Sequence, residues 1–397
     1  MSLLFEPLKI GNKTMPNRFF AQAMEGNDGE NGGQPSDRTV SRYTKLAEGN
    51  WGAVQIEATS VTESSLARKN GMIINRKNLD SFKRLVENFR KQNDSSCLFL
   101  QITHSGERSG PFSEKVTLTP GDRGELADGP RNTGARFLSG DEIEKIKDRF
   151  VEAALLAEEA GVDGIDLKMC HGYFCGEMLR PSNTRDDRWG GSFENRTRFL
   201  KETVAGIKGG LRSGDFILGS RISLFEGIRG GCGSAGPDEI VEDTTEMLGV
   251  IRLMDRIGMQ FVNVSAGIPA LTGAITRPTE TSKYLVLNHL RYAKAARDLV
   301  KRENLSLKVI GSAYSTFREG SPAMMEEALS KDYADACGFG RQIFADPLTP
   351  KKLASGEKVN WCLLCSGCSK LMAAQMNDGC IVYNNYYREV NRNCKTP

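Results

Sequence analysis

Residues 161–199 read GVDGIDLKMCHGYFCGEMLRPSNTRDDRWGGSFENRTRF, and the fold turns on how they are read. Gly164-Ile165-Asp166-Leu167-Lys168 has the look of a buried strand, which normally devotes its residues to packing. This one ends in Lys168, with His171 and Tyr173 close behind. A cation, an imidazole and a phenol gathered at the carboxyl end of a strand can polarise an oxygen and move a proton. The polar run from Asn183 to Arg198 then carries Gly190-Gly191 as a turn and resumes a helix near Asn195.

Outward from this stretch, short β-rich apolar runs alternate with longer helical ones, the pattern of parallel β/α units. The expected strands are Phe19–Met24, Ala53–Thr59, Leu98–Thr103, Gly164–Lys168, Phe216–Ser223, Phe261–Ser265, Leu307–Gly311 and Ala334–Phe339. Helices are expected at Thr39–Glu48, Leu79–Gln92, Asp141–Ala160, Asn195–Leu211, Pro237–Ile257, Val286–Arg302, Ser321–Ser330 and Leu348–Ala354, with Ser139 capping the third. Eight strands, each followed by a helix, predict an α/β fold: a closed (β/α)8 TIM barrel over residues 1–354. Leu3–Lys13 predicts an N-terminal hairpin, turning at Gly11-Asn12, that closes the bottom of the barrel. Ser105–Leu138 is long enough to be a lid or wall of a site. Residues 355–397 form a C-terminal, cysteine-bearing extension packed on the barrel.

The 397 residues include 53 basic and 50 acidic side chains, a net charge of +3, with 39% hydrophobic and 26% charged residues. That is ordinary for a globular protein and gives no reason to expect nucleic acid or an anionic membrane as partner. No apolar run approaches the roughly 20 residues needed to cross a bilayer. MSLLFEPLKIGNK lacks a basic segment leading into an apolar one, so a cytoplasmic location is expected. Of the ten cysteines, Cys362, Cys365, Cys368, Cys380 and Cys394 crowd the end of the chain. In a reducing compartment such clustering suggests metal before disulfide.

In a (β/α)8 barrel the active site lies at the carboxyl ends of the strands. Small residues after strands seven and eight, Gly311-Ser312-Ala313 and Gly338-Phe339-Gly340 followed by Arg341, suit a backbone-amide phosphate site. Gln101 offers a donor and an acceptor to an imide edge, and Arg221 a fixed positive charge, so the mouth could hold a phosphorylated flat heterocycle.

At this point the chain resembles the Old Yellow Enzyme family of NAD(P)H:flavin oxidoreductases, over about residues 3–347. The matching pieces, in order, are LFEPLKIGNKTMPNRF, Glu57-Ala58-Thr59, Gln101 with His104-x-Gly106, GVDGIDLKxxHGY, DRWGGSFENRTRF, Arg221-x-Ser223 and GFGRQIFADP. The resemblance implies FMN at the barrel mouth, reduced by NADH or NADPH, and passage of hydride to the β-carbon of an activated alkene. It implies flavin-ring contacts from Ala23, Met24, Ala58, Gln101 and Arg221, and a phosphate site of Ser312, Ala313, Gly340 and Arg341. It also implies that Lys168 and His171 hold the substrate's carbonyl oxygen and that Tyr173 protonates its α-carbon. A small-molecule substrate and a homo-oligomeric assembly are expected with it.

Three departures from the family pattern matter. Lys168 stands where His is usual, Glu25 stands where Thr, Cys or His is common, and Ser312-Ala313 replaces Gly-Gly. His104 acquires no sharp role, His289 is read as a surface residue, and the DRWGGSFENR run is read mainly as scaffold. The spacing Cys362-x2-Cys365-x2-Cys368-x11-Cys380 suits a [4Fe–4S] cluster ahead of an all-thiolate zinc site. Related dienoyl reductases carry a similar four-cysteine motif after their barrel, with a middle gap of three. A second reading is therefore a flavin and iron–sulfur electron-transfer protein that reduces no alkene. Substrate choice falls to Ser105–Leu138, Leu224–Gly236 and Ala266–Lys283.

Overall fold

A computed structural model describes residues 2–30, 32–118 and 134–394. Eight parallel strands close on themselves: β1 (Phe19–Ala21), β2 (Ala53–Ser60), β3 (Cys97–Thr103), β4 (Gly164–Met169), β5 (Ile217–Ser223), β6 (Phe261–Ser265), β7 (Lys308–Gly311) and β8 (Ala336–Phe339), with β8 pairing back onto β1. The main helices between them are α1 (Asp37–Glu48), α2 (Leu79–Gln92), α3 (Gly140–Ala160), α4 (Arg198–Gly210), α5 (Thr245–Arg256), α6 (Val286–Arg302), α7 (Ser321–Ser330) and α8 (Thr349–Ser355). This is the expected (β/α)8 barrel. Ser139 does cap α3, in a reciprocal box with Glu142.

Two helices differ from expectation. Residues 237–244 fold back over the loop after β5, Glu239 O accepting from Gly230 N at 2.7 Å, and α5 starts only where Asp243 caps Thr245 N. The helix expected from Asn195 breaks at Thr197 into Phe193–Arg196 and α4. Near the N-terminus Leu3–Phe5 is a single 3-10 turn. The hairpin lies one step later, pairing Leu8–Ile10 with Lys13–Met15 around Gly11.

That hairpin plugs the barrel floor. Leu8, Ile10 and Met15 pack beneath Phe20, Phe99, Phe261, Ile217 and Ile310, all buried. The rings of Phe99 and Phe261 lie 5.1 Å apart, and Phe20 is about as close to both. Gly219 makes room for this cluster, since a Cβ there would sit 2.1 Å from the Phe261 ring. The sealed floor leaves a single open end.

The extension carries α9 (Gly367–Ala373) and α10 (Asn385–Asn393) and lies across the loop after β1. Asn27 Nδ2 donates to Met376 O at 2.9 Å, Asp378 N donates to Gly26 O at 2.7 Å, and Arg38 stacks on Tyr386. In the connection after β3, Val116–Thr117 pairs with Arg136–Phe137; residues 119–133 of the expected lid lie outside the described residues. Among the described residues no helix is long and apolar enough to cross a membrane.

Candidate active site

Side chains alternate along a strand, so residues two apart climb the barrel interior. Phe20, Phe99 and Phe261 are followed two positions later by Gln22, Gln101 and Asn263, and Gly164 by Asp166 and then Lys168. Above the aromatic floor these form a buried amide layer. Gln22 Nε2 donates to Asn263 Oδ1 at 2.8 Å and to Ser312 Oγ at 2.6 Å. Gln55 Nε2 donates to Asp166 Oδ2 at 2.5 Å, while Arg221 N and Gln101 Nε2 donate to Oδ1 at 3.0 and 3.4 Å. Burial lifts the Asp166 carboxyl to about 6 despite these bonds. Sequence reading singled out none of Gln22, Gln55, Asp166 or Asn263 as site residues. They fix Gln101, Arg221 and Ser312 from below.

Over this layer opens a cavity at the mouth of the barrel. The structure brings all twelve expected barrel residues into its wall: Lys168, His171 and Tyr173; Ala23, Met24 and Ala58; Gln101 and Arg221; and Ser312, Ala313, Gly340 and Arg341. Ala58 reaches it at a register shift between β2 and β3 that falls between Ile56 and Thr59.

Of the catalytic candidates, Lys168 stands near the end of β4, and His171 and Tyr173 follow on a wound turn. His171 (φ +62°) and Gly172 (φ +74°) are both left-handed. The turn is held by Ser223 Oγ accepting from His171 N at 3.1 Å and by Glu226 accepting from Gly172 N at 3.0 Å. Glu226 is itself fixed by Arg180, whose Nε lies 2.7 Å away with both side chains buried. His171 Nε2 shares a hydrogen bond with Ser265 Oγ at 2.8 Å, and Arg221 Nη2 donates to the same oxygen at 3.2 Å. Burial, reinforced by Arg221, Lys168 and Arg277, holds His171 well below its ordinary value, so the imidazole is neutral.

Lys168 is not a free cation. Its Nζ lies 3.2 Å from Glu25 Oε1 and 3.4 Å from the centre of the Tyr173 ring. Burial opposes its charge, but Tyr173 and Glu25 keep it above its ordinary value. Glu25 also pairs with Arg68 at 2.7 Å. Burial alone would raise its carboxyl, yet Lys168 and Arg68 hold it at about 2. The departures at Lys168 and Glu25 are thus one feature, a buried ion pair.

At the phosphate end Ala313 has φ +71°, and the Ser312 hydroxyl is already bound to Gln22 and, at 2.6 Å, to Val264 O. Backbone amides, Arg341 and the hydroxyls of Ser315 and Thr316 are left there, Thr316 Oγ1 being buried without a partner. Arg341 Nη2 donates to Pro278 O at 2.6 Å, but its Nη1 is buried without a partner, as is Arg221 Nε. Buried guanidinium hydrogens left unpaired above an amide cradle fit a phosphorylated, anion-forming group such as FMN.

His289 corrects the surface reading. It is buried, lines the cavity, and bonds Ile275 O through Nε2 at 2.8 Å, leaving Nδ1 without a partner. The signal was present in sequence, since Val286, His289, Tyr292, Ala293 and Ala296 form one buried stripe of α6. His104 is buried beside Phe174 and accepts from Gly106 N through Nδ1 at 3.2 Å; burial lowers it to about 3. Arg68, Arg277 and Met372 also line the cavity, the last from the extension.

At the DRWGGSFENR run, Arg185 just ahead of it pairs with Asp187 and donates to Leu138 O at 2.7 Å, and Arg196 binds Glu246 at 2.6 Å. These contacts tie the loop after β4 to the segment leading into α3 and to α5, away from the cavity.

Cys362, Cys365, Cys368 and Cys380 line a separate cavity, which Arg341 also borders. The donor set suits a cluster. The loop as it stands does not pre-form one: among the described residues no three His, Cys, Asp or Glu side chains are gathered so as to hold a metal ion.

Comparison with known proteins places this geometry. The chain is 29% identical over 361 residues to the NADPH dehydrogenase of Clostridium acetobutylicum, covering 90% of this chain and 96% of that protein. It is 28% identical over 375 residues to the NADH oxidase of Thermoanaerobacter brockii, covering 92% of this chain but 53% of that one; it spans about half the length of that relative. Its fold is similar to that of a 2-naphthoyl-CoA reductase solved with 2-naphthoyl-CoA, with TM-score 0.81 and 22% identity over 98% of this chain and 58% of the other. The family model described as NADH:flavin oxidoreductase / NADH oxidase matches residues 3–360. The chain belongs to the NADH:flavin oxidoreductase / NADH oxidase family.

Proposed function

We propose that this chain is an FMN-dependent NAD(P)H oxidoreductase that reduces an activated C=C bond, of the α,β-unsaturated carbonyl or dienoyl type. The observation that carries the reading is one cavity joining an amide-and-arginine cradle to Lys168, His171 and Tyr173. Gln101 and Arg221 would hold the ring of FMN and Ser312, Ala313, Gly340 and Arg341 its phosphate, and the cofactor would supply a hydride received from NADH or NADPH.

The protein's own part is polarisation and protonation. Glu25 engages one hydrogen of the Lys168 ammonium, leaving others for a substrate carbonyl oxygen. His171, neutral and tethered through Nε2, offers its Nδ1 side to the same oxygen. As the β-carbon accepts hydride, negative charge gathers on that oxygen, where a fixed ammonium stabilises it most. The Tyr173 hydroxyl then delivers its proton to the α-carbon.

A flavin and iron–sulfur electron-transfer role is the second reading, favoured by Arg341 bordering both the flavin cavity and the cysteine cavity. Self-association is supported by exposed Val241, Tyr284 and Leu287, on segments joined by the Arg291–Glu242 pair at 2.9 Å. Action in the cytoplasm completes the proposal.

The test is to load purified protein with FMN, desalt it and record its absorbance, then reduce it anaerobically with NADH or NADPH and add an enone. Retained flavin that is reoxidised by the enone is expected. No retained flavin refutes the reading; reduction without reoxidation by any activated alkene favours electron transfer.

A further inference from the structure

The cavity carries more positive charge than the proposed reaction uses. Five cations line it: Arg68, Lys168, Arg221, Arg277 and Arg341. Among the described residues the one carboxylate in its wall is Glu25, already matched by Lys168 and Arg68. Both imidazoles in the wall are held neutral, chiefly by burial. A bound flavin phosphate brings a charge of up to about −2, and the ring becomes anionic on reduction. Set against five cations and one carboxylate, these leave one positive charge without a counterpart.

Local contacts identify that charge. Arg341 meets the phosphate cradle and Arg221 the ring, each with an unpaired buried nitrogen. Arg277 has only weak neighbours: Nη1 is 3.7 Å from Met372 Sδ and Nη2 is 3.4 Å from Pro269 O. Among the described residues no carboxylate makes an ion pair with it. Cys368 and, more weakly, Asp378 act on it from the extension, but the Asp378 side chain is fully enclosed and neither residue lines the cavity. Arg277 sits in the connection after β6, near enough for its charge to bear on His171. A guanidinium fork left without an ion pair in the wall of the cavity that Lys168 and His171 also line suits a carboxylate, which it can hold by two parallel hydrogen bonds.

We infer that Arg277 binds a carboxylate of the substrate, so that the preferred substrates are activated alkenes carrying an acid group beside the activating carbonyl. Neutral enones are poorer ligands and protonated amines are repelled. This rests on the flavin reading of the cavity.

The experiment uses the full chain loaded with FMN and desalted, titrated calorimetrically with levulinate and with levulinamide. These saturated keto compounds differ only in charge and accept no hydride. Levulinate is expected to bind at least roughly tenfold tighter than the amide, the scale of a charge-assisted hydrogen bond. Arg277→Gln should bring the two to parity, and Arg277→Lys should restore part of the preference, both with wild-type flavin content. An acid preference that survives Arg277→Gln, or no binding of the acid by wild type, overturns the inference. So does loss of flavin in that variant with the preference intact, since Arg277 would then serve the phosphate. Failure of wild type to retain flavin refutes the underlying reading instead.

Discussion

Replacing Glu25 by Gln removes the counter-charge of two cavity cations while keeping the shape of the side chain. Glu25 is 12% exposed and lies 3.2 Å from Lys168 Nζ and 2.7 Å from Arg68 Nε. Its carboxyl is held at about 2 against an ordinary 4.5, because Lys168 and Arg68 together outweigh burial. That gap corresponds to about 3 kcal/mol favouring the carboxylate in the folded protein. Removing one side of a buried pair costs about 3–5 kcal/mol. The loss is eased here because Lys168 keeps the Tyr173 ring at 3.4 Å and Arg68 is 18% exposed. Denaturant melts near neutral pH should therefore show Glu25→Gln less stable by about 2–3 kcal/mol. A carboxyl depressed in the folded state contributes fully above about 4.5 and loses its contribution as pH falls toward 2. The difference between wild type and variant should thus close across that window, the variant having the flatter profile. Equal stability near neutral pH, or a gap that persists undiminished into acid, would refute the ion-pair account of Lys168.

Two further outcomes concern the other ends of the site. After anaerobic reconstitution with iron and sulfide, wild type should hold both and show broad brown absorption, and Cys365→Ser should lose them; unchanged iron in the variant removes the cluster. Ala313 adopts φ +71°, a conformation that costs a side-chain-bearing residue about 1–2 kcal/mol. Ala313→Gly should raise stability by about 0.5–1 kcal/mol after glycine's unfolded-state entropy is subtracted, with flavin retention unchanged. A fall in the denaturation midpoint would show that Ala313 is not strained.

The barrel was legible because its strands are short apolar runs of fixed spacing, and α2, α6 and α7 begin and end where periodicity places them. Lys168, His171 and Tyr173 were legible because they follow one strand, where local sequence sets position. What sequence could not display is pairing across the barrel. Glu25 and Lys168 are 143 residues apart, and nothing local to either announces that they neutralise one another. The amide layer of Gln22, Gln55, Asp166 and Asn263 was hidden for the same reason, since each becomes interior only when the sheet closes. His289 was a misreading of available information: its stripe on α6 is apolar, and a lone polar residue on such a stripe faces inward. Met372 reaches the cavity from a segment whose cysteines drew attention to metal alone.

If Tyr173 donates the proton in alkene reduction and the cradle around Gln101, Arg221 and Arg341 serves flavin alone, the two half-reactions respond differently to loss of the phenol hydroxyl. Rapid mixing can follow the two halves separately in wild type and Tyr173→Phe: flavin reduction by NADH or NADPH, then reoxidation by an enone. Unchanged reduction is expected, with reoxidation slowed by roughly 10²–10⁴, the contribution of a positioned general acid. Equal slowing of both halves, or reoxidation at the wild-type rate, would contradict it.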